Sequence, residues 1–163
     1  MQPKPVSASR VEMTELVLPG HTNWLGTIFG GQLMAWIDIA AAIAATRHAR
    51  GPCVTATIDA LHFVAPVKLG HVVCIRACVN FTGRTSMEVG ARLESEDPIT
   101  GVRTHVATSY LTFVAIDAAG KPRVVPQVMP ESEVEQRRFH DAQVRRQSRL
   151  ALKDELARKS LRP

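Results

Sequence analysis

Hydrophobic and polar positions change period along this chain. From Gly30 to Thr46 the sequence reads Gly-Gly-Gln-Leu-Met-Ala-Trp-Ile-Asp-Ile-Ala-Ala-Ala-Ile-Ala-Ala-Thr. It is rich in strong helix formers and free of proline, which predicts a helix of about four turns behind a glycine pair. On either side of it the period is two. Residues 11–18 alternate moderately and stop at Pro19-Gly20, and residues 53–63 set Val54, Ala56 and Ile58 against Thr55, Thr57 and Asp59. Residues 71–81 line up Val73, Ile75, Ala77, Val79 and Phe81, and residues 86–96 line up Met87, Val89, Ala91 and Leu93. Residues 102–117 complete the series, with Val106, Tyr110, Val114 and Ile116 on one side. Thr82-Gly83-Arg84-Thr85 and Asp97-Pro98-Ile99-Thr100-Gly101 have turn chemistry. Beyond Pro122, Pro126 and Pro130 a second helix is predicted from Glu131, acidic in its first turn and basic later, as the helix dipole favours. Its apolar positions, Val134, Phe139, Val144, Leu150, Leu152, Leu156 and Leu161, are sparse.

The order strand, helix, four strands predicts an α+β domain in which an antiparallel sheet curves around one helix. That helix is apolar nearly all round, which calls for cover on more than one side; a second copy of the chain is the economical source. A membrane is not, because only about 15 residues separate the glycines from Arg47-His48, against roughly 20 for a span. From His21 to Thr46 the one fully charged side chain is Asp38, flanked at helical spacing by Met34, Ala35, Ala41 and Ala42. A carboxylate in such surroundings is a candidate general base, with a structural network as the alternative. Gly30-Gly31 at the helix start offers unpaired N–H groups and close backbone approach, suited to polarising a carbonyl, with close packing of the helix on the sheet as the alternative.

Composition narrows the picture. The 163 residues divide into a polar lead-in over 1–10, a single domain over 11–126 and a basic helical tail over 127–163. With 45% hydrophobic but only 5% aromatic residues, an aliphatic, alanine-rich core is expected. The net charge is +5, and residues 131–163 supply +3 of it, nine Lys/Arg against six Asp/Glu. Aromatic interleaving is missing from that tail, which argues against nucleic acid. The odd count of three cysteines (Cys53, Cys74, Cys78) and the lack of an apolar leader fit a reducing cytoplasm. His62, His105 and His140 have no metal-ligand spacing, and no nucleophile elbow or phosphate-binding glycine loop is present, so no metal or cofactor is expected.

Several motifs together resemble the hotdog-fold acyl-CoA thioesterases, in particular the cytosolic and brain-type acyl-CoA hydrolases and their small bacterial relatives. They are His21-Thr22-Asn23, Gly26, Phe29-Gly30-Gly31-Gln32-Leu33, Trp36-Ile37-Asp38, Arg47-His48-Ala49, Cys53-Val54-Thr55-Ala56 with Asp59, and Thr85-Ser86-Met87-Glu88-Val89. The resemblance implies a homodimer with two helices inside a joined sheet, assembled further as a trimer of dimers, with active sites between subunits. It implies that the Gly31 N–H polarises the thioester carbonyl while Asp38 of the facing subunit activates water or attacks directly. Asn23 and Thr27 would position water or carbonyl; Thr27 stands where related domains often carry Asn, Asp or Glu, and Phe29 where they often carry His. Coenzyme A contacts are implied at Ala56, Thr57 and Ile58 and at Thr85, Ser86 and Met87. Arg84, Arg145, Arg146 and Arg149 are candidate phosphate partners because guanidinium matches phosphate geometry. Hydration of an enoyl-CoA fits less well, since that chemistry usually pairs the aspartate with a histidine and none lies beside Asp38. A non-catalytic acyl-CoA sensor is the alternative from a different class.

Overall fold

The structure, a computed structural model, describes residues 1–160; Leu161 lies outside the described residues. The elements are β1 (Lys4–Pro5), β2 (Val11–Leu16), α1 (Gly30–Ala49), β3 (Cys53–Ile58), β4 (Val72–Thr82), β5 (Ser86–Glu96), β6 (Arg103–Ala115), β7 (Val128–Met129) and α2 (Glu133–Ser160). Five strands form one antiparallel sheet in the order β2-β4-β5-β6-β3. The sheet curls around α1, which packs against all five strands. Register shifts at Thr55/Thr57, Val79/Phe81 and Leu93/Glu94 mark bulges, which bend and twist the strands that carry them.

The concave face is built as alternation predicts for β4 and β5: Val73, Ile75 and Val79 meet Val89, Ala91 and Leu93, all buried. On β6 the buried series is Ala107, Ser109, Leu111, Phe113 and Ala115, whereas Tyr110 and Val114 lie on the other face and are half-buried. The bulge causes this difference from the sequence expectation: Leu93 pairs with Ala107 and Glu94 with His105, so Val106 is passed over and a count carried across it lands on the wrong face. β3 is also shorter than its alternation suggests. After Ile58 the chain leaves the sheet edge, with single backbone bonds from Asp59 N to Tyr110 O and Val64 N to Val106 O.

The first ten residues, expected as a polar lead-in, pack into the domain. Val6 and Ser9 are buried, Ser9 Oγ accepts from Val79 N and donates to Val6 O, and β1 pairs with β7 in parallel. No helix among the described residues is long and apolar enough to cross a membrane.

α1 is covered on one side only. Leu33, Trp36, Ile37, Ala40, Ala41, Ala44, Ala45 and His48 recur at three- and four-residue steps and face the sheet, where alanines let helix and strands approach closely. The opposite face carries Met34, Ala35, Asp38, Ile39, Ala42 and Ile43, with Ile39 still 49% exposed. Cover on every side is therefore not reached within one chain. The helix ends at Arg50, which adopts φ 51°, and its last carbonyls meet cations: Lys4 Nζ donates to His48 O at 2.6 Å and Arg123 to Ala49 O at 2.7 Å.

Candidate active site

Asp38 lies at the middle of the uncovered face of α1, ringed by apolar side chains and only half-buried. Its hydrogen-bond partner in the chain is Thr55 on β3, whose hydroxyl donates to Asp38 Oδ1 at 2.8 Å. A bulge makes this contact possible. Thr55 pairs with Phe113 and Thr57 with the adjacent Thr112, leaving Ala56 unpaired. Because neighbouring partners point to opposite faces, Thr55 and Thr57 do too: Thr55 toward the helix, Thr57 toward the outside of the sheet. Regular alternation had placed them on the same face. Sequence reasoning included Thr55 in the motif but assigned it no role; 17 positions separate it from Asp38, and only the strand's placement joins them.

The helix start is as the glycine pair suggested. Phe29 occupies the N-cap position with no side-chain cap; its carbonyl accepts from Gln32 and Leu33, while no acceptor among the described residues meets the Gly30 or Gly31 N–H. Aromatic rings flank both glycines. A Cβ on Gly31 would overlap the exposed Phe29 ring, which would have to swing aside, whereas one on Gly30 would make an ordinary contact with Phe63. Gly31 and Asp38 are seven residues apart on one helix, about 10 Å at 1.5 Å per residue. Within one chain they cannot act on the same carbonyl.

Asn23 and Thr27 are brought together in the loop before α1. Asn23 Nδ2 donates to Thr27 Oγ1 at 3.1 Å, and Asn23 Oδ1 accepts from Leu25 N at 2.9 Å and from Thr27 N at 3.3 Å, an Asx-type turn. The amide oxygen is thus engaged in shaping the loop. His21 packs edge-on against Trp36 with centroids 5.1 Å apart, fastening this loop to the helix.

Outside the sheet, under the C-terminal half of α2, lies a cavity of about 560 Å³. Thr57, Ser86, Met87, Arg146 and Arg149 line it, so residues singled out from three separate segments converge here. Ala56 and Ile58 flank Thr57 on β3; Arg84 and Thr85 belong to the turn before β5, where their carbonyls accept from Val125 N and Ala115 N. The three candidate arginines on α2 divide. Arg145 donates to Glu88 Oε1 at 2.7 Å and lies 3.5 Å over the Tyr110 ring; Arg149 bridges Glu88 Oε2 at 3.0 Å and Asp59 Oδ2 at 2.5 Å. Both are engaged by carboxylates of their own chain, and Arg149 also lines the cavity. Arg146 and Lys153 line the cavity without an ion pair among the described residues. Lys153 carries no motif that could have marked it in the sequence.

Two titratable groups near the site's frame are perturbed. Burial pushes the His48 imidazole below its ordinary value, and Lys4 adds to this while the hydrogen bond with Pro126 O at 2.9 Å opposes it. Burial pushes the Cys53 thiol at the start of β3 upward, against the pull of Arg123 and Thr46. No cluster of potential metal ligands occurs among the described residues.

The pattern of the thioesterase superfamily matches residues 25–102. The chain is 44% identical over 138 residues to an acyl-CoA thioester hydrolase of Bacillus subtilis, covering 85% of this chain and 80% of that one. A hexameric acyl-CoA thioesterase in its apo form superposes with a TM-score of 0.89 at 44% identity, over 99% of this chain and 100% of that one. The acyl-CoA hydrolase of Staphylococcus aureus, solved with butyryl coenzyme A, coenzyme A and coenzyme A disulfide, superposes with a TM-score of 0.89 at 40% identity, over 96% and 95% of the two chains. Variants of the same enzyme with an aspartate, a threonine or an asparagine replaced by alanine share the fold. Close sequence identity over most of both chains, joined to a shared curled sheet around a central helix, places this chain in the thioesterase superfamily, with the hotdog fold.

Proposed function

We propose that this protein hydrolyses acyl-CoA thioesters to a free carboxylic acid and coenzyme A, at sites formed between two copies of the chain. The observation that carries this reading is the uncovered face of α1. It presents one carboxylate, Asp38, oriented by Thr55, in an otherwise apolar surface, two helical turns from an unpaired Gly31 N–H. A second α1 running antiparallel against the first would bring the Asp38 of each copy toward the Gly31 of the other. Burial of Met34, Ile39, Ile43 and Ile58 in that contact would contribute up to about 1.5–3 kcal/mol per side chain that becomes fully covered. The hexameric state of the similar thioesterase supports an assembly of this kind, extended to a trimer of dimers.

In the reaction, Asp38 takes a proton from water as the water oxygen attacks the thioester carbonyl carbon. The carbonyl oxygen, becoming an oxyanion, accepts from the Gly31 N–H at the positive end of the helix dipole. One such donor is worth about 3 kcal/mol of barrier. Collapse of the tetrahedral species breaks the C–S bond, and the proton held by Asp38 leaves with the thiol. Direct attack by the carboxylate gives a mixed anhydride that a second step hydrolyses, with the same net balance. Water is the only co-reactant, and no cofactor is proposed. Asn23 and Thr27 shape the loop that precedes the polarising N–H. The spacing of the residues replaced in the S. aureus enzyme supports this set: asparagine, aspartate and threonine lie 15 and 17 positions apart, as Asn23, Asp38 and Thr55 do. The cavity beside Thr57, Ser86 and Met87 suits the coenzyme A arm, with Arg146 and Lys153 as the cations open to phosphate.

Thiol release from acetyl- to palmitoyl-CoA, with wild type and Asp38→Asn side by side, tests the proposal. Turnover is expected on at least part of the series and a loss of at least 100-fold in the variant. Near-wild-type turnover by Asp38→Asn would exclude Asp38 as base or nucleophile.

A further inference from the structure

The helix α2 meets the sheet in two different ways. Its first half packs through Phe139, whose ring lies 5.2 Å from Phe81, and through the fully buried Ala142. Farther along it is tied down by charge. Arg145 and Arg149, one turn apart, both reach Glu88, whose side chain is 1% exposed; Arg149 also grips Asp59, and Arg145 covers Tyr110. Two guanidinium groups and two carboxylates form a closed, neutral network.

This network ends on the strand that orients the catalytic carboxylate. β3 has one neighbour in the chain, β6, and its ladder is interrupted at Ala56. Just beyond Ile58 its first attachment is the bond from Asp59 N to Tyr110 O at 2.9 Å, and the two arginines hold those same two residues from above. Thr55, which donates to Asp38, lies four positions upstream of Asp59.

We propose that Glu88, Arg145 and Arg149 are positioning residues for hydrolysis: by fixing Asp59 and Tyr110 they hold the register and height of β3, and through it the Thr55 hydroxyl against Asp38. This rests on the reading of Asp38 as the catalytic carboxylate. It assigns the two arginines to the strand and leaves phosphate to other cations.

The test compares the full-length wild type with Glu88→Gln, Arg149→Met, Arg149→Lys and Asp38→Asn on butyryl-CoA and on butyryl-pantetheine, which lacks the nucleotide phosphates. Glu88→Gln and Arg149→Met are expected to lower kcat about 10-fold, equally on both substrates, because a displacement well under 1 Å at the reacting groups is enough. Arg149→Lys is expected to recover part of the loss, since an ammonium cannot fork to Glu88 and Asp59 at once. A loss confined to KM for the coenzyme A ester and absent with the pantetheine ester would overturn the proposal in favour of direct phosphate contact. A lower melting midpoint with unchanged kcat would overturn it in favour of helix anchoring alone. Should Glu88→Gln fail to fold by circular dichroism, Arg149→Lys decides: wild-type kcat with that variant overturns the proposal. Retained activity in Asp38→Asn would instead overturn the catalytic reading beneath it.

Discussion

Replacing Thr55 with valine removes one hydroxyl and keeps the side-chain shape. The hydroxyl donates to Asp38 Oδ1 at 2.8 Å, a charge-assisted bond in an apolar setting. Hydrogen bonds to charged groups contribute about 1.5–3 kcal/mol, which corresponds to a rate factor of roughly 10 to 150 if the bond matters fully in the transition state. Both partners are reachable by solvent in the single chain, so water can replace part of the loss, and a drop in kcat near 10-fold is expected. Thr55→Ser keeps the donor and should stay within about threefold of wild type. β3 is an edge strand and Thr55 is exposed, so the melting midpoint should hardly move in either variant. Single-turnover thiol release separates the chemical step from product release. A Thr55→Val enzyme with kcat within twofold of wild type, or a serine variant as slow as the valine one, would refute the argument that this hydroxyl orients the carboxylate.

Three other perturbations probe different parts of the structure. Gly31→Ala should raise helix propensity by about 1 kcal/mol yet push the exposed Phe29 ring aside and crowd the N–H, so activity should fall sharply while thermal stability is kept or improved; both are read from one preparation. Ile39→Glu places a charge on the uncovered face of α1 without touching the concave core, and should yield a folded monomer by light scattering with no turnover, because Gly31 and Asp38 of one chain are about 10 Å apart. His48 is buried with its imidazole held below the ordinary value of 6.5; the unfolded chain binds a proton there first, so the neutral ring's contribution is intact above that value and is lost as pH falls from 6.5 through the folded value. Urea midpoints measured from pH 8 to pH 5 should decline below 6.5 in wild type and decline less in His48→Gln.

The sequence by itself determined much of this protein. An alanine-rich helix behind the glycine pair, the five sheet strands, the two hairpin turns and the lone carboxylate at Asp38 all follow from period, composition and the absence of competing charge, although the helix runs to 20 residues, beyond the four turns or so expected. These are local properties, in which helix propensity and side-chain alternation act on residues near one another in the chain. Tertiary structure decided what depends on register. The bulge at Ala56 sends Thr55 and Thr57 to opposite faces, and the one at Val106 reverses the buried face of β6; a single extra residue does this because the side-chain period of a strand is two. It also decided which arginines are ion-paired among the described residues. Arg145, Arg146 and Arg149 look alike in sequence, but helix geometry places Arg145 and Arg149 one turn apart over the buried Glu88 and turns Arg146 to the cavity. The joining of Thr55 to Asp38 belongs here as well, because no local rule connects a strand residue to a helix residue 17 positions away; only the closing of the sheet around α1 brings them into contact.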